Sequence, residues 1–146
     1  MYRFREGELE FLLVHPGGPL WERKEVGMWS IPKGETHPGE DLLEAAKREF
    51  EEELGFRACG AFIPLASVRQ KSGKIVHAWA FAGECDPTRI HSNMFSMEWP
   101  PHSGHTASFP EVDRAEFFNL EQARNRINPA QLALLQELQR RLATGA

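Results

Sequence analysis

Four glutamates crowd one short stretch of this chain: Glu49, Glu51, Glu52 and Glu53. On a helix, at about 100° per residue, Glu49, Glu52 and Glu53 share a face and Glu51 points elsewhere. That face lies beside the apolar stripe Leu43, Ala46, Phe50 and Leu54, so the three carboxylates belong at the rim of a core. Carboxylates that close repel one another, which raises their pKa values unless a cation intervenes. Hard oxygen ligands in such a cluster suit Mg²⁺ or Mn²⁺. Taken alone, a run of glutamates is more often a solvated face supported by i,i+4 pairs such as Arg48 with Glu52. The surrounding residues overturn that reading.

From Gly34 the chain reads Gly34-Glu35-Thr36-His37-Pro38-Gly39-Glu40, then seven residues, then Arg48-Glu49-Phe50-Glu51-Glu52-Glu53-Leu54-Gly55-Phe56. This resembles the signature of the Nudix hydrolases, G-x5-E-x7-R-E-U-x-E-E-x-G-U with U apolar. Every specified position is met: Gly34, Glu40, Arg48, Glu49, Phe50, Glu52, Glu53, Gly55 and Phe56. A full match by chance in a chain this long is on the order of one in a million at ordinary residue frequencies. The resemblance implies an α/β fold, an α/β/α sandwich with a mixed sheet between helical layers. It also implies metal-dependent hydrolysis of a diphosphate linkage in a nucleoside diphosphate joined to a group X.

On that resemblance Glu49, Glu52 and Glu53 ligate Mg²⁺ or Mn²⁺, and Arg48 braces loop and helix through Glu40 or Glu52. Gly34 opens a loop that brings backbone carbonyls to the metal, where a side chain would obstruct. Glu40 and Gly55 are structural positions of the signature. The general base is a box glutamate or one from a downstream loop; Glu111 is the first downstream candidate and Glu98 the second. Trp29-Ser30-Ile31-Pro32-Lys33-Gly34 is similar to a segment of the diadenosine polyphosphate and diphosphoinositol polyphosphate hydrolases of the family. Lys33 could meet a phosphate as a point charge, and Trp29 could stack on a base. Arg69, Lys71 and Lys74 form a basic cluster that could meet a polyphosphate tail, or simply a polar hairpin turn. His102 and His105 lack a third placed ligand for zinc.

The elements that must position these residues are legible in outline. Leu9–Val14 reads as a buried strand, stopped by His15-Pro16-Gly17-Gly18-Pro19. Pro32 keeps Ile31 extended. The spacing predicts a helix from Pro38 to Leu54, ended by Gly55. Strands are predicted at 61–65, 75–81 and 115–118, with a turn at 71–74. Residues 83–110 hold no clear period and carry several prolines, which predicts a long surface loop. A helix is predicted at 120–126. Asn128-Pro129 is predicted to cap a last helix whose stripe is Leu132, Leu135, Leu138 and Leu142. That stripe is core or a dimer face.

The chain has 146 residues, 41% hydrophobic and 26% charged, which suits one domain spanning 1–146. No apolar run reaches the ~20 residues that span a bilayer, and the charged start Met1–Glu6 does not resemble a secretory signal. A cytoplasmic monomer or homodimer is expected, with Cys59 and Cys85 unpaired. The net charge of −4 and pI near 5.9 exclude a general nucleic-acid binder, but not a phosphorylated small molecule, because a bound cation reverses the local sign. The favoured substrate is a dinucleoside polyphosphate, then a nucleoside triphosphate. The only tyrosine is Tyr2, so the tyrosine seen after the box in diadenosine polyphosphate hydrolases is absent here. The alternatives are a non-catalytic nucleotide-sensing module and a diphosphoinositol polyphosphate hydrolase.

Overall fold

The computed structural model describes residues 1–144. The chain runs through β1 (Tyr2–Arg5), β2 (Glu8–Pro16), α1 (Leu42–Leu54), β3 (Ile63–Arg69), β4 (Ile75–Ala80), β5 (Met94–Glu98), β6 (Thr106–Pro110), β7 (Val112–Phe118), α2 (Leu120–Ala123) and α3 (Leu132–Ala143). Single 3₁₀ turns lie at Pro87–Arg89 and Pro129–Gln131.

β2 is central. It pairs antiparallel with β1 on one edge and with β7 on the other. Phe11 to His15 are all buried, as in a strand covered on both faces. The alternation of a strand sends Phe11 and Leu13 to one side, against Trp29, Phe118, Ile127, Leu135 and Leu138. It sends Leu12 and Val14 to the other, against Phe50, Leu54, Phe81, Val112 and Ala115. One face is thus covered by α1 and the opposite face by α2 and α3. β3 and β4 pair antiparallel. The chain just after β4 joins β1 in parallel through Tyr2 and Ala82, which makes the sheet mixed.

α1 starts later than its sequence pattern predicts. Gly39 has φ 79°, outside the helical region, and Asp41 takes the N-cap, its carboxylate accepting from Glu44 N at 3.2 Å. Glu40 therefore stands in the loop before the helix. Gly55, at φ 79°, ends it, its N–H donating to Glu51 O at 2.7 Å. The C-terminal end follows a similar correction: helix α2 is four residues long, and Asn128 caps the 3₁₀ turn that leads into α3. Residues 83–110 are not one loop. β5 and β6 form a hairpin with Met94 opposite Pro110 and Glu98 opposite Thr106. β1 is a further strand that no pattern predicted.

β2 and β4 are not paired with each other. The contact of β1 with the chain after β4 is confined to Tyr2, whose N–H donates to Phe81 O at 3.0 Å and whose carbonyl accepts from Gly83 N at 3.0 Å. Among the described residues, β3 is the only strand in the sheet order that pairs with β4. A cavity of about 310 Å³ opens there, walled by Leu12 and Leu13, by Ala78 and Ala80, by Leu43 and Ala46 of α1, and by Leu134 and Leu138 of α3. Its mouth is polar, lined by Lys33, Glu35, Thr36 and Lys74. No described helix is long and apolar enough to cross a membrane, and both cysteines are free.

Candidate functional site

The last turns of α1 carry Glu49, Glu52 and Glu53, and the loop at Lys33–Glu35 lies directly against them. Gly34 permits this approach: a Cβ there would sit 1.9 Å from the Glu49 carboxyl carbon. Lys33 N–H donates to Glu53 Oε1 at 3.0 Å. The spacing on the helix does what it predicts: Glu49, Glu52 and Glu53 are part-buried at the core rim while Glu51 is exposed.

Arg48 ties the site together with all five of its N–H groups. Nε donates to Glu40 Oε2 at 2.8 Å and Nη2 to Glu40 Oε1 at 3.0 Å, a two-point pairing that fixes the guanidinium plane. Nη1 donates to Glu49 at 2.8 Å and to Glu52 at 3.0 Å. The remaining Nη2 proton reaches the Glu35 carbonyl at 2.9 Å. The Arg48 guanidinium, then the His37 N–H, hold the Glu40 carboxyl down to about 2. Arg48 itself is raised above the usual arginine value, first by Glu40.

The other carboxyls move the opposite way. Burial pushes Glu53 up to about 8, helped by the charges of Glu49 and Glu111 and opposed by Lys33. Glu111 is raised by burial and then by Glu49 and Glu52. Glu111 comes from the turn between β6 and β7, and a set of docking contacts brings it here. His91 N–H caps Leu54 O at 2.9 Å and Asn93 N–H caps Glu52 O at 2.8 Å, so this segment closes the C-terminal end of α1. Asn93 O then accepts from Glu111 N at 2.8 Å, and Ser92 Oγ accepts from Val112 N at 3.0 Å. Gly17 N–H holds the Glu111 carbonyl at 2.9 Å. Ser92, Asn93 and Gly17 carry no signal of this role in the sequence.

The remaining expectations divide. Lys33 is half-buried beside Glu53. Lys74 reaches the box loop, its Nζ 3.4 Å from Glu35 Oε1. Arg69 turns back on its own hairpin, donating to Gly73 O at 3.4 Å. Glu98 sits at the tip of the β5–β6 hairpin, accepting from His102 N at 2.9 Å, and is not brought to the box. Trp29 corrects the sequence reading: it is 0% exposed, packed edge-on against His15 and Phe118. A fully enclosed indole offers no face to a base. Gln131 is equally buried and holds the stem of the loop, accepting from Ile31 N at 2.9 Å and donating to Ser30 and Gln70 at 3.1 and 3.0 Å.

The donor set fits a hard divalent cation. Carboxylates that raise one another's proton affinity lack only positive charge. Among the described residues no three His, Cys, Asp or Glu side chains converge on one point as they stand. Arg48 holds Glu49 and Glu52, and Lys33 N–H holds Glu53.

The model of the NUDIX domain matches residues 1–138. A Bacillus subtilis (strain 168) protein named "Putative 8-oxo-dGTP diphosphatase" is 49% identical over 39 residues, 27% of this chain. The match spans 26% of that relative's length. Among solved structures, a Caenorhabditis elegans Ap4A hydrolase in a binary complex superposes with a TM-score of 0.67 at 24% identity. It covers 98% of this chain and 94% of its own. The NUDIX domain of Shewanella oneidensis NrtR complexed with ADP ribose gives 0.64 at 14% identity, covering 97% and 82%. At these identities the two structures speak for the fold.

Proposed function

The chain belongs to the NUDIX domain family, and from that premise we propose that it hydrolyses a diphosphate linkage in a nucleoside diphosphate-X substrate. A dinucleoside polyphosphate or a nucleoside triphosphate is the favoured substrate. The observation that carries this reading is the gathering of Glu49, Glu52, Glu53 and Glu111 around a loop that only glycine at position 34 allows.

Glu49, Glu52 and Glu53, with the Gly34 backbone, are the residues that would hold Mg²⁺ or Mn²⁺. Bound there, such an ion neutralises phosphate-oxygen charge and lowers the pKa of a water. Everything else is done by the chain itself. Arg48 keeps Glu49 and Glu52 aimed at the loop while its pairing with Glu40 fixes the loop to the helix. Lys33 and Lys74 flank the box and meet the phosphates as point charges, with Arg69 at the far end of the same turn. Glu111 faces the cluster from a separate element, and burial, then Glu49 and Glu52, raise its carboxyl above the ordinary value. That suits a group that takes a proton from water as the water oxygen bonds to phosphorus and the bridging P–O bond breaks. The leaving phosphate departs as an anion.

The Caenorhabditis elegans neighbour is an Ap4A hydrolase and the Bacillus subtilis relative is named for 8-oxo-dGTP; both names favour nucleotides with linked phosphates. The Shewanella oneidensis neighbour is complexed with ADP ribose; nucleotide binding without turnover is the second reading. The deciding experiment is hydrolysis of dinucleoside polyphosphates, nucleoside triphosphates, nucleotide sugars and ADP-ribose, with Mg²⁺ and with chelator. Chelator-sensitive cleavage of one class is expected. Tight binding of a nucleotide with no cleavage of any substrate overturns the enzymatic reading in favour of the module.

A further inference from the structure

The two feet of hairpin β5–β6 meet at the site. Asn93, the residue before β5, donates its N–H to Glu52 O at 2.8 Å and accepts from Glu111 N at 2.8 Å. Glu111 is the residue after β6, so its position follows that of the hairpin. Among the described residues, the hydrogen bonds of residues 94–110 all stay within the hairpin. A two-stranded hairpin is marginally stable at best by itself. Packing of its apolar side against the body of the domain therefore has to fix its angle.

That side consists of Phe95, Met97, Ala107 and Phe109, all part-buried, while Met94, Ser96, Glu98, Thr106 and Ser108 on the other side are exposed. Phe95 and Phe109 are cross-strand partners with ring centroids 6.0 Å apart. The tip of the Phe95 ring rests on Gly18, where a Cβ would stand 2.9 Å from Phe95 Cζ. One residue earlier, a Cβ at Gly17 would collide with the Pro110 carbonyl oxygen, and Gly17 N–H donates to Glu111 O at 2.9 Å. The pair Gly17-Gly18 reads in the sequence only as the end of a strand. In the fold it is the seat of the hairpin: Gly17 receives the foot and Gly18 receives the ring.

We infer that Phe95 is a positioning residue: seated on Gly18 and braced by Phe109, it sets the angle of the hairpin and through it the place of the Glu111 carboxylate beside Glu49 and Glu52. The inference rests on the reading of Glu111 as the group that takes the proton from water. Phe95 needs no contact with substrate to act in this way, because a misplacement of about 1 Å at a reacting group costs up to about a hundredfold in rate. The metal-holding face of α1 has its own supports, Arg48 on Glu49 and Glu52 and the His91 N–H on Leu54 O. Loss of the Phe95 ring therefore acts on kcat rather than on KM.

The test compares Phe95→Ala, Phe95→Leu, Met97→Ala and Glu111→Gln, each alone, and Phe95→Ala combined with Glu111→Gln. Turnover is measured in Mg²⁺ on whichever dinucleoside polyphosphate or nucleoside triphosphate the unaltered chain cleaves fastest. Amide hydrogen exchange at Glu111 is read in the same proteins without substrate. Phe95→Ala is expected to lower kcat about tenfold or more with KM little changed, and to speed exchange of the Glu111 N–H about tenfold or more. Phe95→Leu, which keeps an apolar group on Gly18, recovers most of both. Met97→Ala trims the same side of the hairpin farther from the feet and leaves both near wild type. In the Glu111→Gln background Phe95→Ala lowers kcat no further, because the group it positions is already gone. An equal loss in both backgrounds, or as large a loss from Met97→Ala, overturns the inference and leaves Glu111 as the base. Full turnover by Glu111→Gln alone overturns the reading of the base, and with it the role of Phe95 in the chemistry. Exchange at Glu111 that Phe95→Ala does not alter overturns the seat itself.

Discussion

Glu53→Gln is expected to strengthen the fold and abolish the chemistry. The Glu53 carboxyl is pushed from 4.5 to about 8 in the folded protein, first by burial. A folded-state pKa above the unfolded one makes the native state the tighter proton binder. The benefit is full at pH below about 4.5 and is lost as pH rises to about 8. At about 1.4 kcal/mol per unit the ceiling of the loss is about 5 kcal/mol, and solvent reaching a part-buried side chain reduces it to about 2 kcal/mol. Glutamine keeps an oxygen for the Lys33 N–H and carries no charge, so the variant escapes this loss. The assay is urea unfolding from pH 5 to 8.5 in chelator. Wild type is expected to lose about 1 M in midpoint relative to the variant over that range, for a slope of about 2 kcal/mol per M. Adding Mg²⁺ is expected to recover wild type through binding linkage and to leave the variant almost unmoved. Parallel pH curves for the two proteins in chelator would falsify the placing of Glu53 among buried, mutually repelling carboxylates.

Four further outcomes are expected. The double variant Glu52→Gln and Glu53→Gln loses turnover by about a thousandfold or more with its circular dichroism unchanged; full activity would make the cluster structural. Glu111→Gln lowers kcat by about a hundredfold or more and shifts the limb of the pH–rate profile set by the base, and an unmoved profile would exclude Glu111 from that role. Arg48→Lys loses the two-point hold on Glu40 and costs about 1–2 kcal/mol in urea unfolding together with turnover; a variant with wild-type stability would show that the pairing does not brace the loop. Gly34→Ala drives a methyl group into the Glu49 carboxyl, so the metal concentration that gives half-maximal activity is expected to rise steeply, and an unaltered value would show that the loop yields without cost.

What the sequence discloses depends on how locally each feature is determined. The box is legible because its residues lie within one helix and one loop, where spacing alone sets which side chains share a face. Glu111 reaches the cluster through backbone contacts of His91 and Asn93 with the end of α1, and backbone contacts leave no trace in residue type. Trp29 misleads for a related reason. Its place beside the loop suggests a base platform, but its burial is decided by His15 and Phe118, which lie far from it in sequence. The hairpin β5–β6 escapes a pattern search because both strands are largely solvated and mix Ser, Thr and Met with Phe. For β1 the one available sign was the dipeptide Glu6-Gly7, a glycine where a turn can form. Glu6 and Gly7 both have positive φ, 52° and 80°, the geometry of a tight hairpin turn between strands.

The placement of charge on α1 argues for function by the rule it breaks. Negative side chains favour the start of a helix and positive ones its end. α1 has Glu44 in its first turn but no basic residue in its last, where Glu51, Glu52 and Glu53 stand instead. Its terminal carbonyls are then covered by neutral N–H groups of His91 and Asn93 rather than by a cation. Arg48 offsets part of this repulsion from one turn earlier, yet Glu53 lies outside its reach and is left with only the Lys33 N–H. A fold selected for stability alone would place a lysine in that turn. Such a conflict between local preference and observed sequence is expected where a site is built for a ligand, and the small, hard, doubly charged cation proposed above would resolve this one.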